Sequence, residues 1–186
     1  MKVGFLGLGK LGLPVAVAMG YRGAEVVGHD SNPAVRGYLA YPHSFPHVEA
    51  GIAVTPFHEL LDGYQPMLVE LSALSCADII FVAVQTPHET RFDGTFPLTH
   101  ERADFDYSHL IGACRALAPH LSADNTVAVI STVLPRTMRR EIAPIFAGIC
   151  PLVYNPQFIA MGTVVPDFLH PEFTLIGVDH YQGERP

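Results

Sequence analysis

The sequence predicts an α/β fold: a doubly wound, mostly parallel sheet with helices on both faces. Three observations predict it. The first thirty residues read strand, glycine-rich turn, helix, strand, over 2–6, 11–21 and 25–29, which is how a parallel sheet opens. Two later runs, 78–84 and 126–131, are short and almost wholly apolar, as strands buried on both faces are. Helical patterns separate such runs: in 107–120, Leu110, Ile111, Cys114 and Leu117 fall on one side.

The elements follow in order. Residues 2–6 form a buried strand. Residues 11–21 form a helix of small and apolar side chains, and 25–29 a second strand closed by Asp30. A short helix is expected over 33–40 and a loop over 41–48, which is rich in Pro and His. A short strand is expected over 51–55, then a helix over 67–75. After the strand at 78–84 comes a polar stretch, 85–106, without periodicity. Stretches of that length in small domains are often lids or binding loops. Helix 107–120, strand 126–131 and helix 135–146 follow, with Pro135 suited to a first helical turn. A strand over 151–154 ends in the Asn155-Pro156 turn. Residues 173–178 form the last strand, and the tail runs on from Asp179. No repeat or linker interrupts the chain, so residues 1–186 are expected to form a single domain of about six to eight strands.

Composition narrows the function. The 186 residues are 49% hydrophobic and 16% charged, which supports a buried core. Lys and Arg number 11 against 18 Asp and Glu, a net charge of −7. The one basic cluster, Arg136, Arg139 and Arg140, reads as a solvated helix face, so no nucleic-acid partner is expected. No apolar run reaches membrane-spanning length. The N-terminus imitates a signal peptide, but Lys10 and the glycines break the run. Cys76, Cys114 and Cys150 form no C-x-x-C pair and fit reduced thiols in a cytoplasmic protein. The ten histidines show no ligand spacing, and no metal is expected.

Gly7-Leu8-Gly9-Lys10-Leu11-Gly12 is G-x-G-x-x-G between a strand and a helix, the context that makes the motif a dinucleotide site of Rossmann type. Gly7 serves the tight turn, Gly9 the approach of a pyrophosphate, and Gly12 the packing of helix on strand. The helix N-terminus adds free N–H groups and a partial positive charge. Asp30, eighteen residues past Gly12, suits the two ribose hydroxyls of adenosine and repels a 2′-phosphate. The expected cofactor is therefore NAD, bound by Gly7, Leu8, Gly9, Lys10, Leu11, Gly12 and Asp30.

Three further segments sit at strand ends: Val84-Gln85-Thr86-Pro87, Ser131-Thr132-Val133-Leu134-Pro135, and the run from Tyr154 through Asn155-Pro156-Gln157-Phe158-Ile159 to Thr163. With Gly-Leu-Gly-x-Leu-Gly-Leu-Pro at 7–14, this set resembles the NAD-binding domain of the UDP-glucose/GDP-mannose dehydrogenase family. The likeness runs from Met1 to about Gly177. The resemblance implies oxidation of a nucleotide sugar's C6 alcohol to a carboxylate, with two NAD reduced per turnover. It implies cofactor contacts at Val84, Thr86 and Thr132. Thr132 would lie near the reacting carbon, its hydroxyl orienting a water or holding a developing oxyanion. It implies that Gln157, Phe158 and Ile159 face a UDP- or GDP-sugar substrate, through backbone groups at Phe158 and Ile159.

The chain departs from the family pattern in two ways. Gln157 and Met161 stand where the family has glutamates, so general-base chemistry there is not expected. The family's nucleophilic cysteine and a key lysine lie in a second domain beyond these 186 residues, and none of the three cysteines matches that motif. The chain is therefore expected to be incomplete alone, with a second domain or partner chain supplying the rest. Two alternatives stay open: a non-catalytic NAD-binding scaffold, and a domain of the 3-hydroxyisobutyrate or 6-phosphogluconate dehydrogenase type. The Thr86-Pro87 and Asn155-Pro156-Gln157-Phe158 segments disfavour the second of these.

Overall fold

The apolar run that opens the chain becomes β1 (Lys2–Leu6), and the rest is wound about it. The computed structural model describes residues 1–92, 97 and 103–178. After β1 come α1 (Gly12–Tyr21), β2 (Glu25–His29), α2 (Ala34–Ala40), α3 (Phe57–Tyr64), β3 (Met67–Leu68) and β4 (Ile79–Val82). Then follow α4 (Ser108–Leu117), β5 (Thr126–Val129), α5 (Ala143–Phe146), β6 (Leu152–Tyr154), α6 (Val164–Leu169) and β7 (Gly177–Val178). A π-helical turn, Met138–Ile142, leads into α5, and a 3₁₀ segment, Leu71–Cys76, leads to β4.

These strands form one sheet in the order β3-β2-β1-β4-β5-β6-β7. All neighbours are parallel except β6 and β7. The chain winds outward from β1 to β3, then crosses back to β4. The order therefore reverses between β1 and β4, the point where open α/β sheets hold ligands. The doubly wound, mostly parallel sheet read from the sequence is present, with seven strands among the described residues.

Period-two alternation assigns the two faces. Val3, Phe5, Phe81 and Ala128 point to the face covered by α1, α2, α3 and α6. Leu6, Ile80, Val82, Val127 and Val129 point to the face covered by α4, α5 and the segment around Leu74. α1 is apolar nearly all round because it is enclosed: Leu13, Val15, Ala16, Val17 and Ala18 are fully buried between the sheet, α3 and α6.

Five expectations need correction. The helix expected from Pro135 starts only at Thr137: Pro135 and Arg136 form a turn, with Arg136 at φ 74°. Residues 67–75 are not a helix: Met67–Leu68 pair with β2, and Leu71–Cys76 is 3₁₀. Leu68, Leu71 and Leu74 recur every three residues, which is the 3₁₀ period. Residues 51–55 form only an isolated bridge, Ile52 to Thr55, around a tight turn with Ala53 at φ 51°. The last strand is shorter than 173–178. Two helices were not expected, α3 and α6. α3 is two turns long, and its Phe57, Leu60 and Leu61 do carry helical spacing. α6 opens on two β-branched valines and a proline, which hides it from propensity. Residues 93–96 and 98–102 of the polar stretch 85–106, and the tail from Asp179, lie outside the described residues.

Candidate functional site

A cleft of about 1180 Å³ opens where the strand order reverses. Gly7, Leu8, Gly9, Lys10 and Leu11 line its centre. Asp30 and Asn32 line one end, and Val84, Thr86, Ser131 and Thr132 the other. Nine of the ten residues read as cofactor contacts therefore share one cavity. The tenth, Gly12, is buried behind the turn.

The three glycines carry different constraints. Gly7 sits at φ +96°, and a Cβ there would meet the Ala83 carbonyl oxygen at 2.7 Å. A Cβ on Gly12 would lie 2.1 Å from the Gly7 carbonyl oxygen, so only glycine lets α1 start so close to β1. A Cβ on Gly9 would meet nothing within 4 Å. Its backbone faces open cleft at the start of α1, where a pyrophosphate finds free N–H groups and the helix dipole.

Asp30 is held in place by two backbone donors. Leu8 N–H donates to Oδ2 at 2.6 Å, and Asn32 N–H to Oδ1 at 2.7 Å. The carboxylate thus bridges the glycine turn and the end of β2, with acceptor capacity left for ribose hydroxyls. Leu8 itself is fully buried against Gly28, where a Cβ would come within 2.8 Å of the Leu8 side chain.

At the other end, β4 and β5 are joined by side chains. The Ser131 hydroxyl donates to the Val84 carbonyl at 2.7 Å, and the Thr86 hydroxyl to the Thr132 carbonyl at 2.8 Å. Thr132 is exposed to the cleft, and its hydroxyl bonds none of the described residues.

Gln157, Phe158 and Ile159 line a different pocket, of about 220 Å³, with Met19, Phe81 and residues of α6. The Gln157 amide donates back to Asn155, to its carbonyl at 3.1 Å and its side-chain oxygen at 2.8 Å. Phe158 is half exposed and packs on Phe173. Met161 instead borders the large cleft. Two carboxylates fasten this segment. Asp167 accepts from Ala160 N–H and from the Thr163 hydroxyl. Glu49 accepts from Val165 N–H at 3.1 Å, and burial pushes its carboxyl above the usual range.

Sequence reasoning missed one wall of the cleft: Tyr38, Phe45, Pro46 and His47. Phe45 packs edge-on against Tyr38 and His47 and tilted on Phe57. The stretch read as an irregular loop; its signal was the aromatic content within it. Small residues of α4, Gly112, Ala113 and Ala116, line the opposite side.

No cysteine lines the cleft among the described residues. Burial pushes the Cys114 thiol up to about 12 and raises that of Cys150, so neither is a thiolate at neutral pH. Among the described residues no group of three or more His, Cys, Asp or Glu could hold a metal ion. No helix there is long and apolar enough to cross a membrane.

A reversing parallel sheet, a glycine turn opening onto a helix N-terminus and an acidic end to β2 together define a dinucleotide-binding α/β domain. The chain belongs to the UDP-glucose/GDP-mannose dehydrogenase family, whose NAD binding domain matches residues 1–185. Its cofactor is NAD, and the open backbone at Gly9 and the oriented Asp30 carboxylate fit that molecule. The UDP-glucose 6-dehydrogenase of Rhizobium meliloti is 29% identical over 190 residues, 98% of this chain and 40% of its own length. The GDP-mannose 6-dehydrogenase of Azotobacter vinelandii is 27% identical over 198 residues, 100% of this chain and 43% of its own. A solved structure of a UDP-glucose dehydrogenase from Pyrobaculum islandicum superposes with a TM-score of 0.74 at 27% identity, covering 95% of this chain and 40% of that one. The chain thus spans about 40% of the length of such relatives.

Proposed function

We propose that this chain is the cofactor-binding portion of a cytoplasmic NAD-dependent dehydrogenase that oxidises the C6 alcohol of a UDP- or GDP-sugar. One observation carries the reading: a single cleft runs from Asp30 across Gly9 to Thr132. An extended dinucleotide laid along it has its adenosine ribose at Asp30 and its pyrophosphate at the start of α1. The nicotinamide would then fall toward Thr86 and Thr132, which line the far end of the cleft. The relatives, UDP-glucose and GDP-mannose 6-dehydrogenases, support a nucleotide sugar as the substrate.

Bound NAD⁺ supplies the hydride acceptor. The residues of this chain orient and hold. Asp30 accepts from ribose hydroxyls, and the backbone of Gly7 to Leu11, with Gly12 behind it, cradles the phosphates. Val84 and Thr86 border the nicotinamide end, and the Thr132 hydroxyl stands ready to orient a water or bond a developing oxyanion. Gln157, Phe158 and Ile159 present the sugar-nucleotide side. Residues 1–186 act as one domain, and a second domain or partner chain brings the nucleophilic thiol that no described residue of the cleft supplies.

A second reading, a non-catalytic NAD-binding protein, is favoured by Gln157, whose amide folds back on Asn155. One titration separates the two. The NAD⁺-saturated chain is titrated with UDP-glucose and GDP-mannose, following both heat and NADH absorbance. The dehydrogenase reading predicts binding of one sugar nucleotide without sustained NADH formation. Binding of neither favours the non-catalytic protein. Sustained NADH formation contradicts the assignment of the covalent step to groups outside these 186 residues.

A further inference from the structure

We propose that Tyr107 is a positioning residue for the nicotinamide end of the cleft, holding the 131–134 turn, and with it Thr132, through the amide of Leu134. The inference rests on the cofactor reading above.

Tyr107 precedes α4 and is 7% exposed. Its phenol oxygen accepts the Leu134 N–H at 3.0 Å and donates its own proton to Asp104 Oδ1 at 2.5 Å. The donated proton fixes the rotor, so a lone pair faces Leu134. Hydrogen bonding from Tyr107 holds the Asp104 carboxyl below its usual range, so it remains an acceptor at neutral pH. Arg140 steadies Asp104 from the far side, 3.5 Å away.

The turn needs that support at this end. Its first half is tied to β4 by Ser131 and Thr86. Its second half runs into Arg136 at φ 74°, a left-handed conformation that a non-glycine residue holds only when its surroundings impose it. Among the described residues the Leu134 carbonyl makes only a local bond, to Thr137 N–H at 3.1 Å. Tyr107 therefore supplies the long-range hydrogen bond to this half among the described residues. It lies outside the cleft lining, and Thr132 lies within it, so the phenol acts through the backbone. Phe105, beside Tyr107, does line the cleft and walls the same end.

The test compares NAD⁺ with ADP-ribose, which lacks the nicotinamide. Both are titrated calorimetrically into the wild-type chain, Tyr107→Phe and Asp104→Ala, with melting temperature as the fold control. Tyr107→Phe keeps the ring in the core. Asp104→Ala frees the phenol without touching the core. The expected result is a roughly fivefold loss of NAD⁺ affinity in Tyr107→Phe with ADP-ribose affinity unchanged, the worth of one hydrogen bond. Asp104→Ala shows the same selectivity. Equal loss for both ligands marks a merely structural tyrosine and overturns the proposal, as does no loss for either. If the wild-type chain binds neither ligand, the cofactor reading itself fails, an outcome distinct from failure of the Tyr107 role.

Discussion

Gly9 and Gly12 are three residues apart and are glycines for opposite reasons. Beyond Gly9 is open cleft; beyond Gly12 is the Gly7 carbonyl. Gly9→Ala is therefore expected to leave the melting temperature within a few degrees of wild type. It should weaken NAD⁺ at least tenfold, because the new methyl occupies the approach of the pyrophosphate. Gly12→Ala is expected to cost about 2 kcal/mol or more in stability, since backbone must move to admit the methyl. Chemical unfolding and a nucleotide titration of both variants check the pair; a stable Gly12→Ala or a tight-binding Gly9→Ala contradicts it. The motif was legible in the sequence because glycine spacing records backbone geometry directly. The Asp30 hydrogen bonds to Leu8 and Asn32 were half legible: the acidic position was visible, its two backbone donors were not. Tyr107 was not legible as part of the site. A tyrosine at the start of an amphipathic helix reads as core, and only the fold brings Leu134 to its hydroxyl.

Continuous apolar runs and the longer helices were found; the two-turn α3, despite its helical spacing, and the elements set by tertiary contact were not. The strands at β1, β4 and β5 announce themselves because both faces are buried. β3 is two residues long and exists because β2 offers an edge, and α6 opens where Glu49 accepts from the Val165 N–H of its first turn while Asp167 ties down Ala160 and Thr163 just before it. The α6 cap makes a pH prediction. Burial raises the Glu49 carboxyl above its ordinary 4.5, with the nearby Asp167 charge adding to the rise. The folded state then binds the Glu49 proton more tightly than the unfolded state does. Stability from this group is fully present below about 4.5 and declines as pH rises through the raised folded value. Glu49→Gln, which keeps an acceptor for Val165 without the charge, is expected to be more stable than wild type at pH near 7. That advantage should shrink on acidification toward pH 4. Denaturant unfolding at the two pH values reads it. An advantage that grows in acid contradicts the burial argument.

At the scale of the whole molecule, the strand order decides where chemistry can occur. A sheet that reverses between β1 and β4 leaves one crevice at its carboxyl edge, and the glycine turn, Asp30 and Thr132 all open into it. The doubly wound class was legible from the order of apolar runs alone. The division into two cavities was not. Gln157, Phe158 and Ile159 follow Asn155-Pro156 closely enough to suggest one continuous site, yet they turn into a separate pocket against Met19 and Phe81 while Met161 returns to the cleft. The central claim is that the cleft is a formed NAD site in this chain. Isothermal calorimetry of the purified chain with NAD⁺, with NADP⁺ as control and Asp30→Ala as the variant, tests it most directly. Saturable NAD⁺ binding is expected, with much weaker NADP⁺ binding because the Asp30 carboxylate repels a 2′-phosphate, and a preference that narrows in Asp30→Ala. Absence of NAD⁺ binding, or equal binding of the two nucleotides by the wild-type chain, contradicts it.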